Sequence, residues 1–97
     1  MRAAYYESVG AASDVIRVGE RPTVQPGAGE VRIRIHASGV NPSDVKARAG
    51  ARGILAYPYV IPHSDGAGVI DAVGSEVNSS RVGERVWTWN AAWKRPF

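Results

Sequence analysis

The residue types and spacing with the clearest chemical potential lie in a short segment that begins at Asn41. Pro42 follows directly, Asp44 lies three residues after Asn41, and Gly50 stands at the far end. This order predicts a short helix with Asn41 as its N-cap and Pro42 at its first position. Asp44 then lies in the first turn and Gly50 at the helix end. A strand that stops at a helix N-terminus leaves free backbone N–H donors, which could take part in binding or catalysis. Helix capping alone, however, also explains the presence of Asn41 and Asp44.

A basic and aromatic group of residues suggests a different function. Positive charges cluster at Lys46, Arg48 and Arg52, and tryptophans occur at Trp87, Trp89 and Trp93. Aromatic stacking beside cations is the way in which single-stranded nucleic acid is commonly bound. The other charges are scattered along the chain, however, and no nucleic-acid motif is present. We therefore expect no nucleic-acid partner.

Composition sets the limits for both hypotheses. The 97 residues are 44% hydrophobic and 22% charged, with a net charge of +3, which is typical of one soluble globular domain. There is no cysteine, so disulfides and thiolate metal sites are excluded. The apolar start of the chain is too short for a secretion signal, and no run approaches membrane-spanning length. We expect a cytoplasmic protein without a membrane partner.

The elements that must position the Asn41 segment are mainly short strands. Residues 2–6 and 15–18 are predicted as strands, with a polar loop at 7–14 between them and a breaker-rich loop at 26–29 after them. The clearest periodicity is the alternation of Val31, Ile33, Ile35 and Ala37 with polar residues. It predicts a strand with one buried and one solvated face, and it places His36 on the solvated face.

The stretch from Pro62 to Trp89 is predicted to form a strand, a turn and a second strand. Glycines at 66, 68, 74 and 83 punctuate its apolar runs, and each glycine predicts a turn, a bulge or a close backbone approach. Gly66, Ala67 and Gly68 begin a near match to GxGxxG, but Asp71 occupies the last position and no strand-to-helix unit surrounds it. No nucleotide-binding fingerprint is therefore expected in these residues.

Two of these segments resemble motifs of the medium-chain dehydrogenase/reductase superfamily. Residues 39–44, with Arg48 and Gly50 after them, resemble the GVNxxD and YIRSG segments of zinc-independent quinone reductases related to zeta-crystallin. Residues 62–87 resemble the GHExxGxVxxVGxxVxxxxxGDRV segment of the superfamily. Zinc alcohol dehydrogenases carry a cysteine and a histidine ligand where this chain has Asn41 and Ser64. An amide and a hydroxyl are poor zinc ligands, so no metal site is expected, and His63, one position early, is not expected to replace one.

The resemblance also implies a fold and a domain organisation. Residues 1–97 should form most of an N-terminal catalytic domain, a mainly β, GroES-like, partly open β-barrel with short helices, and should be incomplete. The Rossmann domain should lie outside this chain in the intact protein. The alternative is a stand-alone GroES-like binding module without enzymatic activity.

The activity implied by the resemblance is hydride transfer from NADPH to a quinone or another electron-poor alkene or carbonyl. In relatives the amide at the position of Asn41 lies near the nicotinamide and the substrate, which makes Asn41 both a catalytic and a cofactor-binding candidate. Asp44 is expected to hold the local network. Lys46 stands where relatives have a tyrosine, and it either contacts a cofactor phosphate or faces water. Tyr57 and Tyr59 are predicted either to line the pocket or to pack beneath a loop, and the intact protein is expected to be a homo-oligomer.

Overall fold

The computed structural model describes residues 1–91 and 95–97, and within them the chain forms two antiparallel sheets with short helices. The mainly β architecture is therefore confirmed. The two sheets do not close into a single barrel within the described residues, which fits the expected partly open form. None of the described helices is long and apolar enough to span a membrane. Trp93 lies outside the described residues.

The first sheet pairs β1 (Arg2–Tyr5) with β2 (Arg17–Glu20). Helix α1 (Ala12–Val15) lies in the segment of chain that connects these two strands. The predicted loop at 7–14 therefore contains most of a short helix, and the strand predicted at 15–18 was placed two residues too early. The amides of Val15 and Ile16 donate to the carbonyls of Ala11 and Ala12 and close a helical turn. Val15 is buried at the end of this turn. The sequence assigned this β-branched residue to a strand, whereas tertiary packing favours a helix here.

The second sheet has the order β3 (Val31–Gly39), β4 (Asp65–Val73) and β5 (Arg85–Thr88). The strand predicted from the alternation at 31–37 is confirmed, as is the strand, turn and strand order of residues 62–89. The register of β3 against β4 shifts between Ile35 and Ala37, so His36 has no Cα partner on β4 and is exposed, as predicted.

The face of β3 predicted to be buried is covered only in part. Ile33 is half-buried, but Ile35 on the same strand is 50% exposed. The alternation correctly identified a strand, but the described residues cover only part of its apolar face. Four hydrophobic side chains are classed as buried among the described residues: Tyr5, Tyr6, Val15 and Ile70.

Helix α2 (Pro42–Ala49) has the bounds that its sequence predicts. Asn41 has an extended backbone at the N-cap, and Gly50 ends the helix in the left-handed region with φ 106°. The amides of Gly50 and Ala51 donate to the carbonyls of Ala47 and Lys46, which satisfies the last turn. Tyr59 packs edge-on against Tyr5 and stacks with Phe97, so packing beneath the loop explains this tyrosine.

Close backbone approach between β3 and β4 requires glycine at position 68. A Cβ atom at Gly68 would lie 2.0 Å from the carbonyl oxygen of Arg34. Backbone atoms cannot move aside without breaking the ladder, so the prediction of close approach is confirmed for this glycine.

We predict that Gly68→Ala lowers the free energy of unfolding by about 3 kcal/mol or more, because the added methyl group overlaps the backbone. Gly53→Ala is the control: a Cβ there meets nothing within 4 Å, although Gly53 has φ +80°. Its cost should be limited to the backbone strain of about 1–2 kcal/mol. Thermal or urea unfolding measures both, and equal losses in the two variants would contradict the proposed overlap.

Candidate functional site

The site is built where β3 ends, β4 begins and α2 starts. Gly39, the last residue of β3, pairs with Asp65, the first residue of β4. Asn41 follows two residues after Gly39 and caps α2. The pairing of the two strand ends therefore brings Asn41 to Asp65, although 24 positions separate them in the sequence.

The Asn41 side chain is held by the Asp65 carboxylate. Its Nδ2 donates to Asp65 Oδ2 at 2.6 Å, and the backbone amide of Asn90 donates to Asp65 Oδ1 at 3.1 Å. These two bonds lower the pKa of Asp65 below its ordinary value of 3.8, and the bond from Asn41 has the larger effect. Asp65 is therefore ionised near neutral pH. One N–H of the Asn41 amide remains available after the bond to Asp65 is counted.

Asp44 serves the helix rather than the side chain of Asn41. Its Oδ2 accepts the backbone N–H of Asn41 at 2.7 Å in a capping-box arrangement. The capping interpretation of Asp44 is therefore confirmed. Arg48, on the last turn of α2, donates to the carbonyl oxygen of Gly10 and ties the helix to the N-terminal loop.

These residues open into a polar cleft of about 280 Å³. Its lining carries amides, hydroxyls, carboxylates, one guanidinium and one indole: Asn41, Ser43, Asp44, Arg52, Ser64, Asp65, Trp89 and Asn90. The indole of Trp89 lies at its edge, and this residue is 74% exposed. An oriented amide beside hydroxyl groups can exchange hydrogen bonds with a neutral polar ligand.

A second, larger cleft of about 490 Å³ adjoins the polar one. The two clefts share Asp44, Arg52 and Ser64. The second is called the apolar cleft here because Ile54, Leu55, Val60 and Ile61 contribute to its lining, and His63 lines it as well. Tyr57 lines this cleft, in line with the pocket hypothesis for that residue. The adjoining clefts offer a polar end and an apolar body to one ligand.

Tyr6 also reaches the apolar cleft from the end of the N-terminal sheet. Burial raises the pKa of its phenol, and the charge of Asp44 acts in the same direction, while Arg48 and Arg52 oppose it. The phenol therefore keeps its proton near neutral pH.

The structure brings together Asn41 and Asp44 as the sequence predicts, but it places Lys46 elsewhere. Lys46 is exposed on α2 and is absent from the lining of both clefts. Sequence reasoning missed Asp65 and Asn90. Asp65 follows Ser64 and occupies the position of the glutamate in the GHE motif, and this match could have identified it. Asn90 contributes only its backbone amide, so its residue type gave no indication of its role.

The described residues contain no group of three or more histidine, cysteine, aspartate or glutamate side chains that could hold a metal ion. Ser64 lines both clefts, and its backbone carbonyl accepts the amide of Ala91 at 2.9 Å. His63 makes a different contact, with Ser38 at 2.7 Å. The independence from zinc stays a prediction.

Comparison with known proteins gives a consistent family assignment. Residues 27–95 match the model of the alcohol dehydrogenase GroES-like domain. Starvation-sensing protein RspB of Escherichia coli is 48% identical over 67 residues, which cover 69% of this chain and 20% of that protein. Quinone oxidoreductase of Sus scrofa is 40% identical over 63 residues, or 65% of this chain and 19% of its own length.

Among solved structures, a mycobacterial protein in complex with NADPH is 31% identical and superposes with a TM-score of 0.80. The match covers 95% of this chain and 29% of that chain. The expected GroES-like fold is thereby confirmed. The chain spans about a fifth of the length of the curated relatives named above.

We predict well under one zinc ion per chain after purification without a metal-affinity tag. The chain has no cysteine, and an amide and a hydroxyl occupy the two positions where zinc relatives carry ligands. Elemental analysis is the measurement. Stoichiometric zinc that persists against a chelator would contradict the prediction.

We also predict that Asn41→Ala raises the pKa of Asp65 towards its ordinary value, because the largest cause of its lowering is removed. A carboxylate whose pKa is lowered on folding stabilises the fold above its unfolded pKa and loses that contribution as pH falls through the folded pKa. The variant should therefore lose less stability than the wild type as pH falls below about 4. NMR titration of the carboxyl carbons is the measurement.

Glu84 provides an internal control in the same titration. Its bond to Arg81 lowers its pKa at a site outside both clefts. Glu84 should titrate identically in the wild type and the variant. An unchanged Asp65 titration in Asn41→Ala would show that the bond from Asn41 does not hold the carboxylate in solution.

Proposed function

This chain belongs to the alcohol dehydrogenase GroES-like domain family of medium-chain dehydrogenases/reductases, and from that premise we propose that it forms the acceptor-binding part of an NADPH-dependent quinone reductase. The acceptor is a quinone or another electron-poor alkene or carbonyl. The observation that carries the proposal is the Asn41 amide, oriented by Asp65 in the polar cleft. The name of the pig relative and the NADPH bound to the mycobacterial relative support the choice of acceptor and cofactor.

The polar cleft fits one end of the cofactor and not the other. A nicotinamide carries a neutral carboxamide, which can exchange hydrogen bonds with the Asn41 amide and the hydroxyls of Ser43 and Ser64. The cofactor phosphates do not fit there, because the two carboxylates of Asp44 and Asp65 outweigh the single positive charge of Arg52 in the lining. Gly66 and Gly68 lie inside β4 rather than in a turn that leads into a helix, so they offer no pyrophosphate site.

We propose accordingly that a Rossmann domain outside these residues binds the phosphates in the intact protein. When bound, NADPH supplies the hydride. The residues of this chain orient the acceptor and stabilise the negative charge that develops on its oxygen. Asn41 does so with the N–H that Asp65 leaves free, and Asp65 keeps the amide from rotating. Asp44 acts at one remove by fixing the backbone of Asn41.

We propose that the ring of the acceptor binds in the apolar cleft. Its aliphatic lining removes a ring from water, and the shared residues Asp44, Arg52 and Ser64 connect it to the Asn41 amide. Lys46 is exposed on α2 and lines neither cleft, and we propose that it contacts a cofactor phosphate. We also propose that the intact protein needs no zinc, is located in the cytoplasm and assembles into a homo-oligomer.

We predict that Asn41→Ala in the intact protein lowers turnover of a quinone with NADPH about a hundredfold while NADPH affinity changes little. The loss of a preorganised donor to the developing oxyanion is worth about 3 kcal/mol of barrier. Steady-state kinetics with a neutral naphthoquinone and a binding titration with NADPH are the measurements.

The matched control is Asn78→Ala. Asn78 accepts the amide of Ser80 at 2.9 Å and caps the 3-10 turn Ser79–Arg81, outside both clefts. Its loss should cost about 1 kcal/mol of stability without changing turnover per folded molecule. If Asn41→Ala behaves like this control, Asn41 is only structural. If the wild type binds neither NADPH nor a quinone, the proposed activity is wrong and the binding-module alternative gains support.

A further inference from the structure

His63 is held in place by its backbone and by its side chain. Its φ is 87°, one of three positive values at non-glycine positions among the described residues. Its Nδ1 lies 2.7 Å from Ser38 Oγ, near the end of β3. Histidine tolerates this backbone region better than most residues do, but the conformation still costs free energy. The rest of the fold maintains it at the point where the chain enters β4.

One ring nitrogen of His63, Nε2, makes no hydrogen bond to the described residues. With Nδ1 engaged by Ser38, Nε2 has no hydrogen-bond partner within residues 1–91 and 95–97. His63 lines the apolar cleft, and the next residue, Ser64, lines both clefts. Within the part of the chain that the structure describes, the imidazole is thus bonded at one nitrogen and unpaired at the other, next to the place proposed for the acceptor.

The proposed reaction requires a proton donor. Hydride addition to a carbonyl or quinone leaves negative charge on an oxygen, and that oxygen must be protonated. Asp65 is ionised because two N–H donors lower its pKa. Asn41 has no proton to release near neutral pH, and an arginine such as Arg52 does not deprotonate. Imidazole is the side chain best suited to proton transfer in this range.

On the basis of the oxidoreductase function proposed above, we propose that His63 is the catalytic proton donor to the acceptor oxygen and that Ser38 is its positioning residue. The acceptor gains a hydride with its electron pair from the reduced cofactor, which is thereby oxidised. The acceptor oxygen takes the proton from Nε2 of the His63 imidazolium, and the N–H bond breaks. The Nδ1–H stays donated to Ser38 Oγ, so the neutral ring keeps its lone pair on Nε2 and regains a proton from water.

Several charged and titratable groups line the apolar cleft together with His63. Asp44 on α2, Arg52 and Arg95 line this cleft with His63, and Arg95 forms an ion pair with Glu30. The remaining titratable groups of the lining, Tyr6 and Tyr57, are uncharged when protonated. Because the proposed donor acts as an imidazolium, turnover should fall as rising pH removes that form.

The test compares His63→Asn with His36→Asn in the intact protein. Asparagine tolerates positive φ, which limits damage to the backbone at position 63. His36 is the other histidine of the chain and is exposed on β3 outside both clefts. We expect His63→Asn to lower kcat about a hundredfold and to abolish the fall of kcat with rising pH. His36→Asn should leave both unchanged.

Two further variants separate proton transfer from a structural effect. His63→Gly relieves the backbone and leaves room for exogenous imidazole, which should restore kcat in proportion to its protonated concentration. Ser38→Ala should lower kcat about tenfold and weaken the pH dependence, because the ring loses its orientation. KM for the quinone should change little in either variant.

A measurement that needs no turnover uses the ring resonances of the two histidines. Addition of a hydroquinone to the cofactor-free intact protein should shift the His63 ring nitrogens and leave those of His36 in place. Normal kcat and a normal pH profile in His63→Asn, with an active wild type, would overturn this inference alone. A wild type that reduces no quinone with NADPH would overturn the proposed function and this inference together.

Discussion

The pairing of β3 with β4 is the interaction on which the site depends. It is the register of this ladder that sets Gly39 opposite Asp65 and so brings the N-cap of α2 to the first carboxylate of β4. The two strands approach so closely at Gly68 that no side chain fits there. A shift of one residue would turn Asp65 to the other face of the sheet and leave the Asn41 amide without its partner. The chemistry of the cleft is thus fixed by backbone geometry before any side chain contributes.

Local signals predicted the parts of the structure that local forces decide. The bounds of α2 follow from Asn41, Pro42 and Gly50, because capping, a fixed φ and a left-handed terminus all act within a few residues. The strand at 31–37 follows from its alternation. The segment around Val15 was misread because its helix depends on burial of that side chain, and burial is a property of the whole fold.

The site was predictable only in part for the same reason. Asn41 and Asp44 share one short segment, so their spacing was visible in the sequence. Asp65 reaches Asn41 across the sheet, and Asn90 contributes a backbone amide whose residue type carries no information. The contact of Ser38 with His63 likewise joins residues 25 positions apart. Motif resemblance indicated the region, whereas only the register of the strands indicated which side chains meet.

The indole of Trp89 stands at the edge of the polar cleft with most of its surface in solvent. Trp87, which is 77% exposed, lies on β5 and does not line either cleft. Indole emission depends on the polarity of its surroundings and is quenched by electron-poor rings. A protein in which Trp87 and Trp93 are replaced by phenylalanine would therefore carry, within these residues, a single tryptophan, located at the mouth of the cleft. The domain has a built-in optical probe that would register the arrival of a ligand without any attached label.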